Sequence, residues 1–136
     1  MVFTLFLFPT FKYSLTQMLS RYSKETRILV AIDCIIFGFD GNDIKLLLVK
    51  RGLEPEKGKW SLMGGFVRPD EDLEDASIRI LKKLTGLENV YMEQLLVFGE
   101  PCRDPVERTV SIAYFALIDI SQYEKQLSDE YNAEWF

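Results

Sequence analysis

Histidine is absent from all 136 residues. Its absence removes a Ser-His or Cys-His nucleophile, a histidine general base and any histidine-containing zinc site. Cysteine is nearly absent: Cys34 and Cys102 are too few and too far apart for a disulfide framework or a cysteine-rich metal site. The economical reading is a reducing compartment, the cytoplasm. Basic residues form no block, and 16 of them face 21 acidic ones for a net charge of −5. A chain of that balance does not grip a nucleic-acid backbone by itself, because that requires clustered positive charge. No internal repeat or low-complexity tract is present. The most apolar stretch, Met1 to Phe11, is interrupted by Pro9 and followed by Lys12. It falls short of the roughly 20 residues of a membrane span and lacks the basic leader of a secretory signal. It reads as a docked arm, or as a consequence of where translation was taken to start, and no membrane partner is expected. What remains is 48% apolar and 13% aromatic, which excludes disorder. The length fits one domain.

Regular patterning starts at Arg27, which divides the chain into an N-terminal extension, 1–26, and a domain, 27–136. Residues 12–26 are polar and suit a short helix or lead-in. Ile28 to Phe39 and Ile44 to Val49 are two runs of strand formers around Asp40-Gly41-Asn42-Asp43, the composition of a hairpin turn. Cys34, inside the first run, reads as a small buried hydrophobe. A loop from Lys50 to Lys59 leads to a short strand at Trp60 to Met63, then Gly64-Gly65 and Phe66-Val67. Asp72 is placed to cap a helix from Leu73 to about Thr85, with Glu74 and Asp75 in its first turn, Lys82 and Lys83 in its last and Gly86 as its stop. Val90 to Phe98 and Thr109 to Ile120 read as further strands, joined by a polar loop, and Ala133 to Phe136 looks like the start of another.

Gly65, Glu71, Arg79 and Gly86-Leu87 stand at the spacing G-x5-E-x7-R followed by a terminal Gly-aliphatic pair. This resembles the Nudix box, and the resemblance extends from about Ile28 to Phe136. It implies an α/β (α+β) fold, the Nudix-type α/β/α sandwich with a mixed sheet, incomplete at the C-terminus because the usual final helix is missing. Active members carry glutamates on the box helix that hold Mg²⁺ or Mn²⁺ against a diphosphate while water attacks. The matching positions here are Ile80, Lys83 and Leu84, which offer no oxygen donor. At 100° per residue Leu73, Ile80 and Leu84 form one stripe, flanked by Leu81 and Ala76, so the helix face is packing surface. Arg79, without its usual partners, is expected to pair with Asp75 one turn earlier. Gly64-Gly65 suits either a phosphate cradle or a loop that needs positive φ.

The resemblance is strongest to the Nudix-type transcriptional regulators, in stretches such as DCIIFGF, LLLVKRGLEP, GKWSLMGGFV and RDPVERTVSIAYFALI. Among these it most resembles the sugar-responsive, arabinose-regulator-like members, and others of the group sense ADP-ribose. It implies a non-catalytic domain that binds a small effector, a pentose or an ADP-ribose-like molecule, in a cytoplasmic homodimer. DNA would be reached only through a C-terminal winged helix that does not follow Phe136. No catalytic residue, metal ligand or cofactor is expected under this reading. The candidate ligand-binding residues are Arg51, Trp60, Gly64, Gly65, Arg103 and Asp104, since recognition groups concentrate on loops carried by a rigid sheet. The alternative is a Nudix hydrolase cleaving nucleoside diphosphate derivatives such as ADP-ribose. It would hold Mg²⁺ or Mn²⁺ through an unusual set, Glu71, Glu74 and Asp75, with Glu107 or Asp104 as base.

Overall fold

The computed structural model describes residues 22, 24–52, 54, 56–127 and 132–136. In chain order these form β1 (Leu29–Phe39), β2 (Ile44–Lys50), β3 (Trp60–Ser61), β4 (Met63–Phe66), α1 (Leu73–Thr85), β5 (Glu93–Phe98), β6 (Thr109–Asp119), a short α2 (Ile120–Tyr123) and β7 (Ala133–Trp135). Of the expected extension, residues 22 and 24–26 are described, with the Glu25 N–H bonded to the Tyr22 carbonyl at 3.2 Å. The expected apolar arm at 1–11 and most of the helix at 12–26 lie outside the described residues.

The first hairpin forms where its turn chemistry predicts. Asp40 accepts from the N–H groups of Asn42 and Asp43, each at 2.9 Å, and from Lys45 at 2.7 Å. Those contacts hold its carboxyl far below the usual carboxylate range. β1 and β2 then pair antiparallel, with Phe37 opposite Leu46 and Phe39 opposite Ile44. β1 is also the strand on which the sheet is organised. Along one edge it runs parallel to β6 in an unbroken register from Leu29–Thr109 to Phe39–Asp119. Its other edge is shared: Ala31–Cys34 pair with β4, and Phe37–Phe39 pair with β2. β2 and β4 diverge from that division. The mixed sheet has the order β3-β2-β1-β6-β5, with β4 attached to β1 and β7 to β2.

Alternation along β1 sends Ile32, Cys34 and Ile36 to one face and Ala31, Asp33 and Ile35 to the other. α1 covers the first face. Asp72 caps it by accepting from the Asp75 N–H at 2.8 Å, and Gly86 ends it at φ +80° with its N–H on the Lys82 carbonyl, as its sequence requires. Ala76, Ser77, Ile80 and Leu81 are buried against Ile32, Cys34, Ile36 and Met63. Two boundaries differ from expectation. Val90 is buried but not in a strand, and β5 begins at Glu93, where its pairing with β6 starts opposite Phe115 and then shifts register between Gln94 and Leu96. At the other end Trp135 packs over bare backbone: a Cβ on Gly38 would lie 2.5 Å from its ring. No helix among the described residues is long and apolar enough to cross a membrane.

Cys34 is fully buried, with its thiol 3.7 Å from the Ser77 carbonyl, and burial pushes its pKa up to about 12. Cys102 is exposed. Native protein at pH 8 should therefore expose one thiol to an aromatic disulfide reagent, and a second only after denaturation. Two fast-reacting thiols in the folded chain would contradict this packing.

Candidate ligand-binding site

Where β2 and β4 part, a cavity of about 580 Å³ opens beside β1. Its base is Ala31 and Asp33 of β1 with Thr109 and Ser111 of β6; one wall is Lys50, Arg51 and Gly52 at the exit of β2. Leu62, Gly64, Gly65 and Phe66 form the opposite wall, Leu84 of α1 closes the end, and Arg103 and Asp104 overhang from the loop before β6. Five of the six expected residues, Arg51, Gly64, Gly65, Arg103 and Asp104, thus meet around one space. Trp60 does not join them. Its ring stands edge-on to Phe136 at 4.8 Å, with the Lys50 ammonium 6.0 Å from its centroid. Two other hollows, of about 330 and 530 Å³, flank β5, and among the described residues no lysine or arginine lines either.

The glycine pair is not a positive-φ turn. Among the described glycines that conformation belongs to Gly41, Gly58 and Gly86, whereas Gly64 and Gly65 lie in β4 opposite Asp33 and Ile32. What both positions require is the lack of a side chain. A Cβ on Gly65 would sit 3.0 Å from Ile80, and one on Gly64 would sit 2.8 Å from the Asp33 carboxylate.

Asp33 was not among the expected site residues. A single carboxylate within a run of Ile, Val and Phe is the feature that could have marked it. Ser111 hydrogen-bonds its side chain, and Arg103 donates to the Ser111 hydroxyl at 2.7 Å. Burial pushes its pKa up, while Ser111 and the Arg103 charge pull the other way. Asp104 lines the cavity, but its carboxylate accepts from the Val106 N–H of its own loop at 2.9 Å.

The box loop is braced by a different ion pair from the one expected. Arg79 does not turn to Asp75. It clasps Glu71 with both ends of its guanidinium, Nε reaching Oε2 at 2.8 Å, and its Nη2 also donates to the Phe66 carbonyl at 2.9 Å. Glu71 accepts the Arg68 N–H at 2.8 Å as well. A planar fork meeting a carboxylate on a fixed loop outweighs a solvent-exposed pair along the helix.

A divalent cation of the kind the box suggests does not fit here. Ile80 is buried beneath Gly65, Lys83 is exposed with an ammonium, and Leu84 presents a hydrocarbon wall. Both oxygens of Glu71 are committed to Arg79 and Arg68. Among the described residues no three acidic, cysteine or histidine side chains gather closely enough to hold an ion. Hard cations need several oxygen ligands.

The sheet, the box loop and the helix define a Nudix domain. The family model described as NUDIX domain matches residues 27–136, and the chain belongs to that family. It is 36% identical over 121 residues, 86% of this chain, to the ADPR responsive transcriptional repressor NtrR of Acinetobacter baylyi, and covers 48% of that protein. It is 34% identical over 136 residues to the ADP-ribose pyrophosphatase of Methanocaldococcus jannaschii, covering 99% of this chain and 79% of that one. Among solved structures, the NUDIX domain of Shewanella oneidensis NrtR complexed with ADP ribose matches with a TM-score of 0.69 at 29% identity, covering 91% of this chain and 83% of that one. The chain spans about half the length of the repressor.

Pairing with Arg79 lowers the Glu71 pKa from 4.5 to about 2. A carboxyl whose folded pKa is depressed stabilises the fold above its unfolded pKa and loses that contribution as pH falls through the folded one. Glu71→Gln should therefore melt at a lower temperature at pH 7. The gap from wild type should close between pH 4.5 and about 2. Thermal melts across that range check it, and a gap independent of pH would show that the ion pair is not what braces the loop.

Proposed function

We propose that this chain is the non-catalytic effector-binding domain of a Nudix-type transcriptional regulator, and that its effector is a nucleoside diphosphate sugar of the ADP-ribose class. The observation that carries this reading is a cavity with Lys50, Arg51 and Arg103 along its edges and Leu84 where a hydrolase of this family would need a carboxylate. Arginine and lysine neutralise a diphosphate without a metal, and a wall of hydrocarbon gives water no activated position. The relatives described above carry ADP-ribose in their names, which favours that ligand over the free pentose suggested by the sequence resemblance. A cavity of about 580 Å³ is also larger than a monosaccharide needs.

In this reading the domain works in the cytoplasm as part of a homodimer, and a separate domain contacts DNA. The effector changes DNA binding only if it binds one arrangement of the dimer more tightly than the other. The net charge of −5 supports leaving DNA contact to another part of the protein.

A hydrolase remains the second reading, favoured by the likeness to the archaeal pyrophosphatase. Calorimetry with ADP-ribose and L-arabinose, in EDTA and again in Mn²⁺, separates the two when AMP release is followed in parallel. ADP-ribose should bind with affinities in the two buffers that agree within about twofold, remain intact, and outcompete arabinose. Binding confined to Mn²⁺ with release of AMP, abolished in Glu71→Gln, would establish the enzyme instead.

A further inference from the structure

The base of the cavity has a polarity opposite to its edges. Asp33 is the acidic group built into it, placed by β1 and given room by the missing side chain of Gly64. Ser111 is buried, and its hydroxyl accepts from Arg103 at 2.7 Å while hydrogen-bonding Asp33. A hydroxyl that accepts from a guanidinium turns its own proton toward the carboxylate, which fixes the orientation of the whole chain of contacts. The carboxylate keeps unused lone pairs, and an ionised carboxylate can only accept. Arg103 bonds the Ser111 hydroxyl and acts on Asp33 only through its charge, so the free lone pairs of the carboxylate are what the base offers a ligand.

We propose that Asp33, oriented by Ser111 and Arg103, is the specificity-determining residue that accepts hydrogen bonds from the free hydroxyls of a ligand sugar and excludes a phosphate on that sugar. This rests on the ligand class proposed above and adds to it which end of the ligand meets the base. Ala31, Gly64, Thr109 and Ser111 are small and leave room for a sugar edge at the Asp33 carboxylate, while the flat face in the cavity is Phe66, paired across from Ala31. A purine needs a flat face on which to stack. A carboxylate that takes ribose hydroxyls and rejects the phosphorylated ribose is a general device of nucleotide recognition, since two like charges in a desolvated pocket repel. The diphosphate then falls toward Lys50 and Arg51, and the ligand lies with its uncharged end inward.

The test is calorimetry of the full chain and of Asp33→Asn with four ligands: ADP-ribose, ADP-ribose 2′-phosphate, ADP-ribose 1″-phosphate and IDP-ribose. Wild type should bind at least one of the phosphorylated sugars about tenfold or more weaker than ADP-ribose. In Asp33→Asn that gap should narrow to about threefold or less, while the ratio of ADP-ribose to IDP-ribose stays fixed. Whichever gap narrows identifies the sugar at the base. A gap that does not respond to Asp33→Asn overturns this inference and leaves the ligand reading standing. A change in the ADP-ribose to IDP-ribose ratio instead assigns Asp33 to the base of the nucleotide and also overturns it. If wild type binds none of the four, the ligand reading falls and this inference with it. Gly64→Ala, whose added methyl would lie 2.8 Å from the Asp33 carboxylate, displaces the same group without removing its charge. It should weaken ADP-ribose binding, and it keeps the question open to measurement if Asp33→Asn folds poorly; unaltered ADP-ribose affinity there counts against Asp33.

Discussion

Ile80 lies against the bare backbone of Gly65, and much of the molecule's character follows from that contact. A Cβ on Gly65 would come within 3.0 Å of the isoleucine, so helix and strand meet here as closely as they can. The approach draws α1 down onto β4 and β1, buries Leu81 and Ala76 with it, and fixes the loop between Phe66 and Asp72 that Arg79 and Glu71 then clasp. A buried carboxylate at position 80 would need partners that this packing does not offer. The same residue tightens the fold and puts hydrocarbon at a position where the resemblance to the Nudix box implies a glutamate.

The cavity follows from the sheet. β1 has one complete edge, against β6, and one divided between β2 and β4. Where the divided edge opens, the strand exit carrying Lys50 and Arg51 faces the glycine pair, and the loop before β6 folds Arg103 over the gap. Asp33 and Lys50 sit on strands and Arg51 is tied by backbone hydrogen bonds to Gly58 and Lys59, whereas Arg103 is carried by a loop and held through Ser111. Groups fixed on strands need little ordering when a ligand enters.

Much of this was legible in the residues. The box helix was bounded by Asp72 and Gly86 because capping chemistry is local, and the hairpin at Asp40 was legible for the same reason. The long-range contacts were not. Asp75 lies one turn from Arg79 in sequence, but Glu71, on a loop eight residues away, offers both oxygens to the guanidinium. Gly64 and Gly65 suggested unusual backbone angles, yet they serve by lacking side chains, a demand made by Asp33 and Ile80 on other elements. Asp33 itself was hidden by the apolar run around it: strand alternation assigned its face, but only the pairing of β1 with β6 brings Ser111 beside it. Five of the expected ligand residues share one cavity because they flank the same strand division, while the terminal strand β7 carries the chain to Phe136, which engages Trp60.

The proposed role depends on the aliphatic face of α1, where Ile80 and Leu84 offer a divalent cation no oxygen ligand. Titrating the purified chain with Mn²⁺ while following the electron paramagnetic resonance of the free ion probes that face. The free-ion signal should grow with every addition, as in buffer alone. Loss of that signal at equimolar metal, with anomalous scattering placing the ion beside residues 80 to 84, would contradict that role.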